Sequence, residues 1–550
     1  MSDVVVIGAG PNGLVAANLL ADVGLDVVVY EEQPEPGGAV RSGQLTVPGY
    51  EHDLFSAFYP FAVASPAMQR LELERWGVRW RHARLVLAHP MPDGRAVALS
   101  RDLDETADSL EAFGTGDGEA WRRLYGLWTR IEEPFMDALT TPFPPVRAGA
   151  RLAGALRVRG ALQLARLAVL PLRRLAEEAF RGEGAALLLA GNALHADLTP
   201  ESPGSAAFGL ILSGLGQSVG FPVPEGGAGR LTDALVRRLR SAGGEVVCGA
   251  RAEQVIVRGG RALGVRLAGG ERARARVGVL ADVGAPQLYR ELLARDAVPA
   301  RIHRGLGRFQ YDYSTIKVDW ALSAPVPWTA GAVRRAGTVH VGESLDFLSQ
   351  TTGEIERGLI PGRPFLVFGQ YAAADPTRAP AGAEVAWAYT HVPQATVCDA
   401  RGELRGVWDA GELAVYAARM EDEVERFAPG FKQLIMARHV FGPHELEREN
   451  RNLVGGALNG GTAKLHQQLV FRPLPGLARP ETPIAGLLLA SASAHPGGGV
   501  HGAPGAIAAR ALLRRRRPLT SWPRRPRSPG GSASRSHSGT RSGSDRDPRR

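Results

Sequence analysis

The stretch VVVIGAGPNG, residues 4–13, decides the fold of this chain. β-Branched residues lead into three glycines, Gly8, Gly10 and Gly13, at the spacing G-x-G-x-x-G. This spacing lets the chain turn tightly after a buried strand, approach a pyrophosphate with no Cβ in the way, and pack the next helix closely on the sheet. We therefore predict a strand, a phosphate-binding turn and a helix over about 12–23.

A second strand, DVVVYEE, follows this helix and ends in acidic residues. Glu31 stands 23 residues after Gly8, where a carboxylate at a strand end can accept hydrogen bonds from ribose hydroxyls. The same carboxylate would repel a 2′-phosphate, which argues against NADP. The order of strand, glycine turn, helix, strand and acidic residue is a more specific signal for nucleotide binding than the glycines alone. It predicts a dinucleotide-binding unit.

The next loop, PEPGGAVRS, offers a second place where backbone can approach a cofactor. Gly37 and Gly38 stand side by side in it, and Arg41 follows within reach of a phosphate. The alternative for Arg41 is a solvated loop arginine, which is at least as well supported by the sequence.

The net charge lies outside the predicted folded body. The 550 residues carry a formal charge of +9, but twelve arginines and two aspartates lie in 514–550, so residues 1–513 are close to neutral. The tail is rich in Ser, Pro, Gly and Arg and lacks apolar periodicity, which predicts a disordered basic extension. Contact of this tail with nucleic acid or an anionic membrane is one alternative, but a solvated tail without a partner is favoured, so we expect no nucleic-acid partner.

Cysteine use and the N-terminus point to a reducing compartment. The two cysteines, Cys248 and Cys398, are 150 residues apart, which excludes a C-x-x-C dithiol and a zinc cluster. The chain starts directly in a strand, with no signal-peptide pattern, and contains no apolar run long enough to span a bilayer. These features predict a cytoplasmic protein.

Residues 145–180 carry helical periodicity with recurring arginines. Arg159, Arg166 and Arg173 are seven residues apart and so lie near one face, while leucines supply apolar surface. A basic amphipathic helix of this kind can lie on an anionic membrane, so peripheral membrane contact is one interpretation. The other, slightly favoured, is a lid helix whose apolar side packs on the rest of the protein.

A third glycine turn stands near the end of the body. The predicted buried strand at 487–490 leads into HPGGGVHG, with Gly497, Gly498, Gly499 and Gly502, and then into an alanine-rich helix. A strand, a glycine turn and a helix N-terminus again bring backbone N–H groups against a cofactor. We therefore predict that one cofactor domain is closed by both ends of the chain.

The segments VIGAGPNGLVAANLL, VVVYEE, PGGAV, PEGGAGRLTDAL, KVDWAL and HPGGGVHGAPG together resemble the phytoene desaturase-like FAD oxidoreductases. The likeness covers nearly all of residues 3–513. Within the family, the chain most resembles the branch of pyridine nucleotide-disulfide oxidoreductase domain-containing protein 2 and the desaturase-like β-carotene ketolases.

The resemblance implies an α/β fold with a discontinuous FAD-binding Rossmann-like domain, of the glutathione reductase and amine oxidase type, and an inserted α+β substrate domain. The implied parts of the FAD domain are 1–60, 222–290 and 481–513. The substrate domain would have a helical part at 61–221 and a mixed-sheet part at 291–480, and the basic tail would cover 514–550.

The resemblance also assigns FAD contacts to small residues and one acid. These residues are Gly8, Gly10, Gly13, Glu31, Gly37, Gly38, Ala252, Gly497, Gly498, Gly499, Val500 and Gly502. Ala252 stands where the family usually has a Val that acts through its backbone. The family's LDQL reads HQQL at 466–469, and ASASAH lacks the acid of related amine oxidases, so neither role is carried over.

Two residues are candidates for catalysis. Lys317 is one of only three lysines and lies in a predicted strand, and amine oxidase relatives place a lysine of the substrate domain near the flavin. An ion pair with Asp319, two residues away, is the favoured alternative. His495 opens the late turn, so the motif implies a place near the flavin, whereas local backbone capping is its favoured alternative. His501 is a weaker candidate.

We therefore expect an FAD-dependent oxidoreductase that transfers hydride from an apolar, isoprenoid or carotenoid-like, substrate to the flavin. No second dinucleotide motif is present, so oxygen or a quinone is the expected electron acceptor. A non-redox FAD-dependent isomerase and a flavin-free prenyl- or lipid-binding protein on the same fold are the alternatives.

Overall fold

Two seven-stranded sheets organise the computed structural model, which describes residues 1–516. Their strands, β1–β14 in chain order, are Ser2–Ile7, Val27–Tyr30, Leu85–Pro90, Ala96–Leu99, Glu245–Val247, Ala252–Arg258, Arg261–Leu267, Arg272–Ala281, Ser314–Leu322, Ala336–Val341, Leu366–Gln370, Glu384–Val392, Ile435–Phe441 and Leu487–Leu489. The first sheet has the order β6-β7-β8-β1-β2-β5, with β14 paired to β8, and the second has the order β13-β9-β12-β11-β10-β3-β4.

Eleven helices of eight or more residues pack around these sheets in the described part of the chain. They are α1 Pro11–Ala21, α2 Leu103–Glu111, α3 Asp117–Leu139, α4 Val146–Leu167, α5 Leu172–Ala179, α6 Gly184–Leu194, α7 Ser205–Ser218, α8 Gly229–Ser241, α9 Leu345–Glu356, α10 Ala410–Phe427 and α11 Ala503–Arg516. Helix α1 begins and ends within two residues of its predicted limits.

The core of the first sheet is parallel and combines strands from early and late in the described part of the chain. One row across it pairs Glu245, Val28, Val5, Val279 and Leu487, each with the next. Strand β14 comes from near residue 490 and joins the same sheet as β1. Helices α1, α8 and α11 cover one face of these strands, and strands β6 and β7 with short helical segments at 285–306 cover the other. Burial on both faces explains the near-continuous apolar sequences of the strands. The predicted α/β fold with a discontinuous Rossmann-like domain is confirmed.

The second sheet is mostly antiparallel, and one of its faces lies toward the glycine turns. A row across it pairs Phe441, Lys317, Tyr389, Val367 and His340, each with the next. Directly paired residues share a face of an antiparallel sheet. This row therefore places Lys317, Tyr389 and His340 on one side.

The segment predicted as helical at 61–221 also contributes strands β3 and β4 to the second sheet. All six residues of β3, LVLAHP, are buried, so the strand has no polar face to reveal its period in the sequence. The domain boundaries given above stay a prediction.

The predicted helical stretch 145–180 forms α4 and α5, which are separated at Pro171. Leu156 and Leu167 of α4 are buried, whereas Val158 and Leu162 are exposed. The apolar surface of α4 is thus divided between the protein interior and solvent.

The structure describes only the beginning of the predicted tail. Helix α11 continues to Arg516, so the first three residues of 514–550 are helical, and the remainder lies outside the described residues. Within residues 1–516, no helix combines the length and apolar character that crossing a membrane requires.

Candidate cofactor-binding site

The first glycine turn is packed against a buried carboxylate, Asp282, at the end of β8. The backbone N–H of Gly13 donates to Asp282 Oδ2 at 2.8 Å. A Cβ on Gly10 would lie 2.8 Å from the same oxygen, and a Cβ on Gly13 would lie 2.2 Å from the carbonyl oxygen of Gly8. The three glycines are therefore needed because the chain crosses its own backbone and Asp282 here.

Asp282 is a residue of the site that sequence reasoning missed. Burial raises its pKa to about 7; the Gly13 N–H opposes this shift, and the nearby charge of Glu31 adds to it. An acid that directly ends a buried strand, in VGVLAD, was the available signal. The carboxylate lines the cavity beside the N-terminus of α1.

Glu31 lies at the end of β2, beside the same turn. Its Oε2 accepts the N–H of Ala9 at 2.7 Å, and its Oε1 accepts the N–H of Gln33 at 2.9 Å. Only 8% of the residue is exposed, and it faces the cavity. These two bonds orient the carboxylate next to the glycine turn.

The second glycine pair contacts the first turn. A Cβ on Gly38 would lie 3.1 Å from Gly10 Cα, and Gly37 has a φ of +124°, which side-chain-bearing residues rarely adopt. Arg41 donates from Nε to the Gly38 carbonyl at 3.2 Å and pairs with Glu449 at 3.3 Å. Gly38 lines the cavity, whereas Gly37 and Arg41 lie behind it.

The late turn lines the same cavity as the early one. Gly498, Gly499 and Val500 contribute to its wall together with Gly8 and Gly10. The two turns therefore lie side by side, although about 490 residues separate them in the sequence.

Two glycines of the late turn support it from outside the cavity wall. A Cβ on Gly502, whose φ is +65°, would lie 2.6 Å from Val15 Cγ2 of α1, which holds the two turns together. Gly497 packs on the guanidinium of Arg472, and a Cβ there would lie 3.2 Å from Cζ.

Arg472 is a buried cation that sequence reasoning did not assign. Its guanidinium donates to the backbone carbonyls of Asn459, Gly461, Thr462 and Ala492. Burial lowers the pKa of Arg472 to about 10, which still leaves it charged at neutral pH. The residue joins the 459–462 loop to Ala492, in the segment between β14 and the late turn.

The two histidines of the late turn differ in position. His501 lines the cavity, accepts the N–H of Ala503 on Nδ1 at 3.1 Å, and places Nε2 3.2 Å from the Gly498 carbonyl. His495 is buried against Phe143 and does not line the cavity. Burial lowers the pKa of each histidine to about 4, so both rings are neutral at pH 7.

Lys317 lines the cavity from the second sheet, but its ammonium group is held from behind. It donates to the Asp53 carbonyl at 3.0 Å and forms an ion pair with the fully buried Asp319. Burial alone would raise the pKa of Asp319, but Lys317 and His52 lower it below its ordinary value. The ion pair favoured by the sequence is present.

Asp53 extends this charged network beyond Lys317 and Asp319. Its carboxylate accepts from Arg378 at 3.1 Å, from the Tyr371 hydroxyl at 2.8 Å and from the Ala228 N–H at 2.7 Å. Arg378 is 1% exposed and also binds Asp375 at 2.9 Å. The network joins the segments around the glycine turns to the second sheet.

One cavity of about 830 Å³ connects the turns to an apolar chamber. Protein sites for small organic ligands usually span roughly 300–1,000 Å³. Ala252 at the start of β6 lines the cavity with the turns. The chamber walls come from α3, α4, α7 and the second sheet, and include Trp128, Phe135, Leu164, Phe208, Ile211 and Trp387.

Fold and site together define the class of protein. A family model described as an NAD(P)-binding Rossmann-like domain matches residues 6–71. Cyclohexylamine oxidase from Brevibacterium oxydans shares the fold, with a TM-score of 0.57 and 14% identity over 94% of this chain and 99% of that chain. The chain thus shares the overall fold of this amine oxidase.

Proteins similar in sequence narrow the class. Pyridine nucleotide-disulfide oxidoreductase domain-containing protein 2 of Rattus norvegicus is 28% identical, over 93% of both chains. The lycopene-forming phytoene desaturase of Pseudescherichia vulneris is 25% identical, over 93% of this chain and 99% of the desaturase. These relatives confirm the resemblance stated from the sequence, and they support an oxidoreductase.

Proposed function

We propose that this protein is an FAD-dependent oxidoreductase that removes hydride from an apolar, isoprenoid-like substrate. The observation that carries the proposal is the continuity of one cavity from the glycine turns into the apolar chamber. A dinucleotide at the turns and a substrate in the chamber would meet inside it, out of bulk water.

The residues at the turns suit FAD. Gly8, Gly10 and Gly498 expose backbone to the cavity with no side chain between, and the N-terminus of α1 favours the negative charge of phosphates. Glu31 supplies a carboxylate acceptor for ribose hydroxyls beside them. The relatives whose names include desaturase and oxidase are consistent with a flavin.

When bound, FAD supplies the hydride acceptor. The chain's own residues hold the substrate: the aromatic and aliphatic walls of the chamber orient a C–H bond and keep water away. Lys317 lines the cavity and stays the candidate for catalysis, with its ammonium group engaged by Asp319 and the Asp53 carbonyl. His495 lies outside the cavity wall, so we assign it a positioning role in the late turn.

The acceptor of the electrons and the membrane contact are further parts of the proposal. Oxygen or a quinone suits a chain with a single dinucleotide motif. Val158 and Leu162 on the outer side of α4, both more than half exposed, would make contact with a lipid surface that delivers an apolar substrate.

A visible spectrum of the purified protein, followed by anaerobic titration with a panel of isoprenoid lipids, tests the proposal. We expect a yellow protein whose flavin absorbance is lost with one class of lipid and returns with oxygen or a quinone. A colourless protein that does not bind added FAD but binds lipid would overturn the proposal. A product of unchanged mass, formed only with reduced flavin, would favour an isomerase instead.

A further inference from the structure

Among the polar side chains that line the largely apolar chamber, two form a hydrogen-bonded pair. His195 follows the end of α6, and Tyr389 lies on β12, directly opposite Lys317 in the neighbouring strand. Both residues line the cavity, and Tyr389 Oη lies 3.2 Å from His195 Nδ1. An apolar substrate alone gives no reason for this pair.

A third residue extends the pair into the protein. His195 Nε2 lies 3.0 Å from Nε2 of His340, which is fully buried on β10. Burial lowers the pKa of His195 to about 3 and lowers that of His340 well below its ordinary value. Both rings are therefore neutral, and each carries one proton.

The environment of His340 decides which nitrogen carries the proton. A Cβ on Gly191 would lie only 2.0 Å from His340 Nδ1, and this nitrogen has no hydrogen-bond partner among residues 1–516. Buried N–H groups without an acceptor are rarer in proteins than buried acceptors without a donor, so we assign the unpaired Nδ1 as the nitrogen without a proton. His340 therefore carries its proton on Nε2.

The proton direction follows along the chain of hydrogen bonds. His340 donates from Nε2 to His195 Nε2, so His195 carries its proton on Nδ1 and donates to Tyr389 Oη. The Tyr389 hydroxyl thus accepts a hydrogen bond from His195. It donates a hydrogen bond to none of the residues that the structure describes. Its own proton is left for a group in the cavity.

We propose that Tyr389, oriented by His195 and His340, forms a hydrogen-bond donor subsite for an oxygen acceptor, a carbonyl or an ether or hydroxyl oxygen, on an otherwise apolar substrate. The inference rests on the proposed function only in placing the substrate in the chamber. It narrows the substrate class from a pure hydrocarbon to an oxygenated one, with the oxygen held on the face of the sheet that carries Lys317.

A matched pair of probes tests the subsite without turnover. 1-Acetylpyrene and 1-ethylpyrene have similar shapes, but only the ketone accepts a hydrogen bond. Each should quench tryptophan fluorescence on binding, because Trp128 and Trp387 line the chamber. Tyr389→Phe should weaken 1-acetylpyrene about fivefold, as expected for one neutral hydrogen bond, and leave 1-ethylpyrene unchanged. An equal effect on both probes, or none on either, would overturn the proposal.

The control variant is Tyr313→Phe. Tyr313 is also buried, but its hydroxyl donates to Glu356 and it does not line the cavity, so both affinities should stay at the wild-type values. A further measurement needs no variant: the carbonyl stretch of 1-acetylpyrene bound to wild-type protein should lie at lower wavenumber than in hexane. An unshifted band would also overturn the subsite.

These results separate the inference from the proposed function. A colourless protein that still discriminates the ketone would reject the flavin and retain the subsite. A yellow protein whose Tyr389→Phe variant binds both probes like wild type would retain the flavin and reject the subsite.

Discussion

The backbone N–H of Gly13 donates to the carboxylate of Asp282 at 2.8 Å, across 269 residues of sequence. This bond ties the N-terminus of α1 to the end of β8. It also explains why Gly10 and Gly13 carry no side chain, because Asp282 and the Gly8 carbonyl occupy that space.

Gly13→Ala should prevent FAD retention. The added Cβ would lie 2.2 Å from the Gly8 carbonyl oxygen, so the turn must open and its N–H groups leave the proposed phosphate site. Flavin absorbance per protein after gel filtration measures the effect. The matched control is Gly126→Ala, also within a helix, where nothing lies within 4 Å of the new Cβ; yellow Gly13→Ala protein would contradict the prediction.

Asp282→Asn should remove a pH dependence of stability. The folded pKa of Asp282 is raised to about 7, so the folded protein holds a proton that the unfolded chain has lost above about pH 4. The free energy of unfolding of the wild-type protein should therefore fall as the pH rises from about 4 to 7, by up to about 1.4 kcal/mol per pH unit. Urea unfolding of both proteins across this pH range, at equal flavin loading, measures this change. The free energy of unfolding should fall less with pH in the variant than in the wild type, and an equal fall in both would show that Asp282 is not the titrating group.

Arg378→Met should destabilise the contact between the two sheets. The change leaves Asp53 and Asp375 buried without their shared cation, and breaking such a pair costs about 3–5 kcal/mol. Denaturant unfolding measures the loss. Arg75→Met, which breaks an exposed pair with Glu72, should have no measurable effect, and similar behaviour of the two variants would argue against a structural role for the buried network.

Arg472→Met should loosen the late turn. Four backbone carbonyls would lose their donor, and leaving buried acceptors unpaired costs at least about 2 kcal/mol here. Proteolysis near residues 459–462 should accelerate together with the loss of stability. Arg472→Lys should recover only part of both, because an ammonium lacks the planar fork; full recovery would show that charge alone matters.

Much of the nucleotide half was predictable because its signals are local. Gly8, Gly10, Gly13 and Glu31 lie within one βαβ unit, where turn geometry and strand-end chemistry act over a few residues. The late turn was found in the same way, from a strand and glycines before a helix. Asp282 was missed because a single acid after a strand has no period or spacing to distinguish it.

The chamber and its polar residues could not be predicted from the sequence. His195, His340 and Tyr389 are widely separated along the chain, and each stands in an apolar stretch where a lone polar residue indicates no partner. Their hydrogen bonds exist because β10 and β12 are separated by one strand in the second sheet and α6 packs on it. The partner of Arg41 could not be predicted for a different reason. A loop arginine can reach many groups, and only the packing of the folded chain places Glu449 beside it.

The sequence by itself determined the α/β class, the glycine turns and the acid beside them, because backbone conformation and strand–turn–helix spacing are local properties. Only the tertiary structure decided that the early and late glycine turns share one cavity, that Asp282 fills the space the glycines leave, and that a tyrosine hydroxyl donates into a largely apolar chamber. Those features depend on which distant segments pack together, and burial then sets the protonation and direction of the polar groups trapped between them.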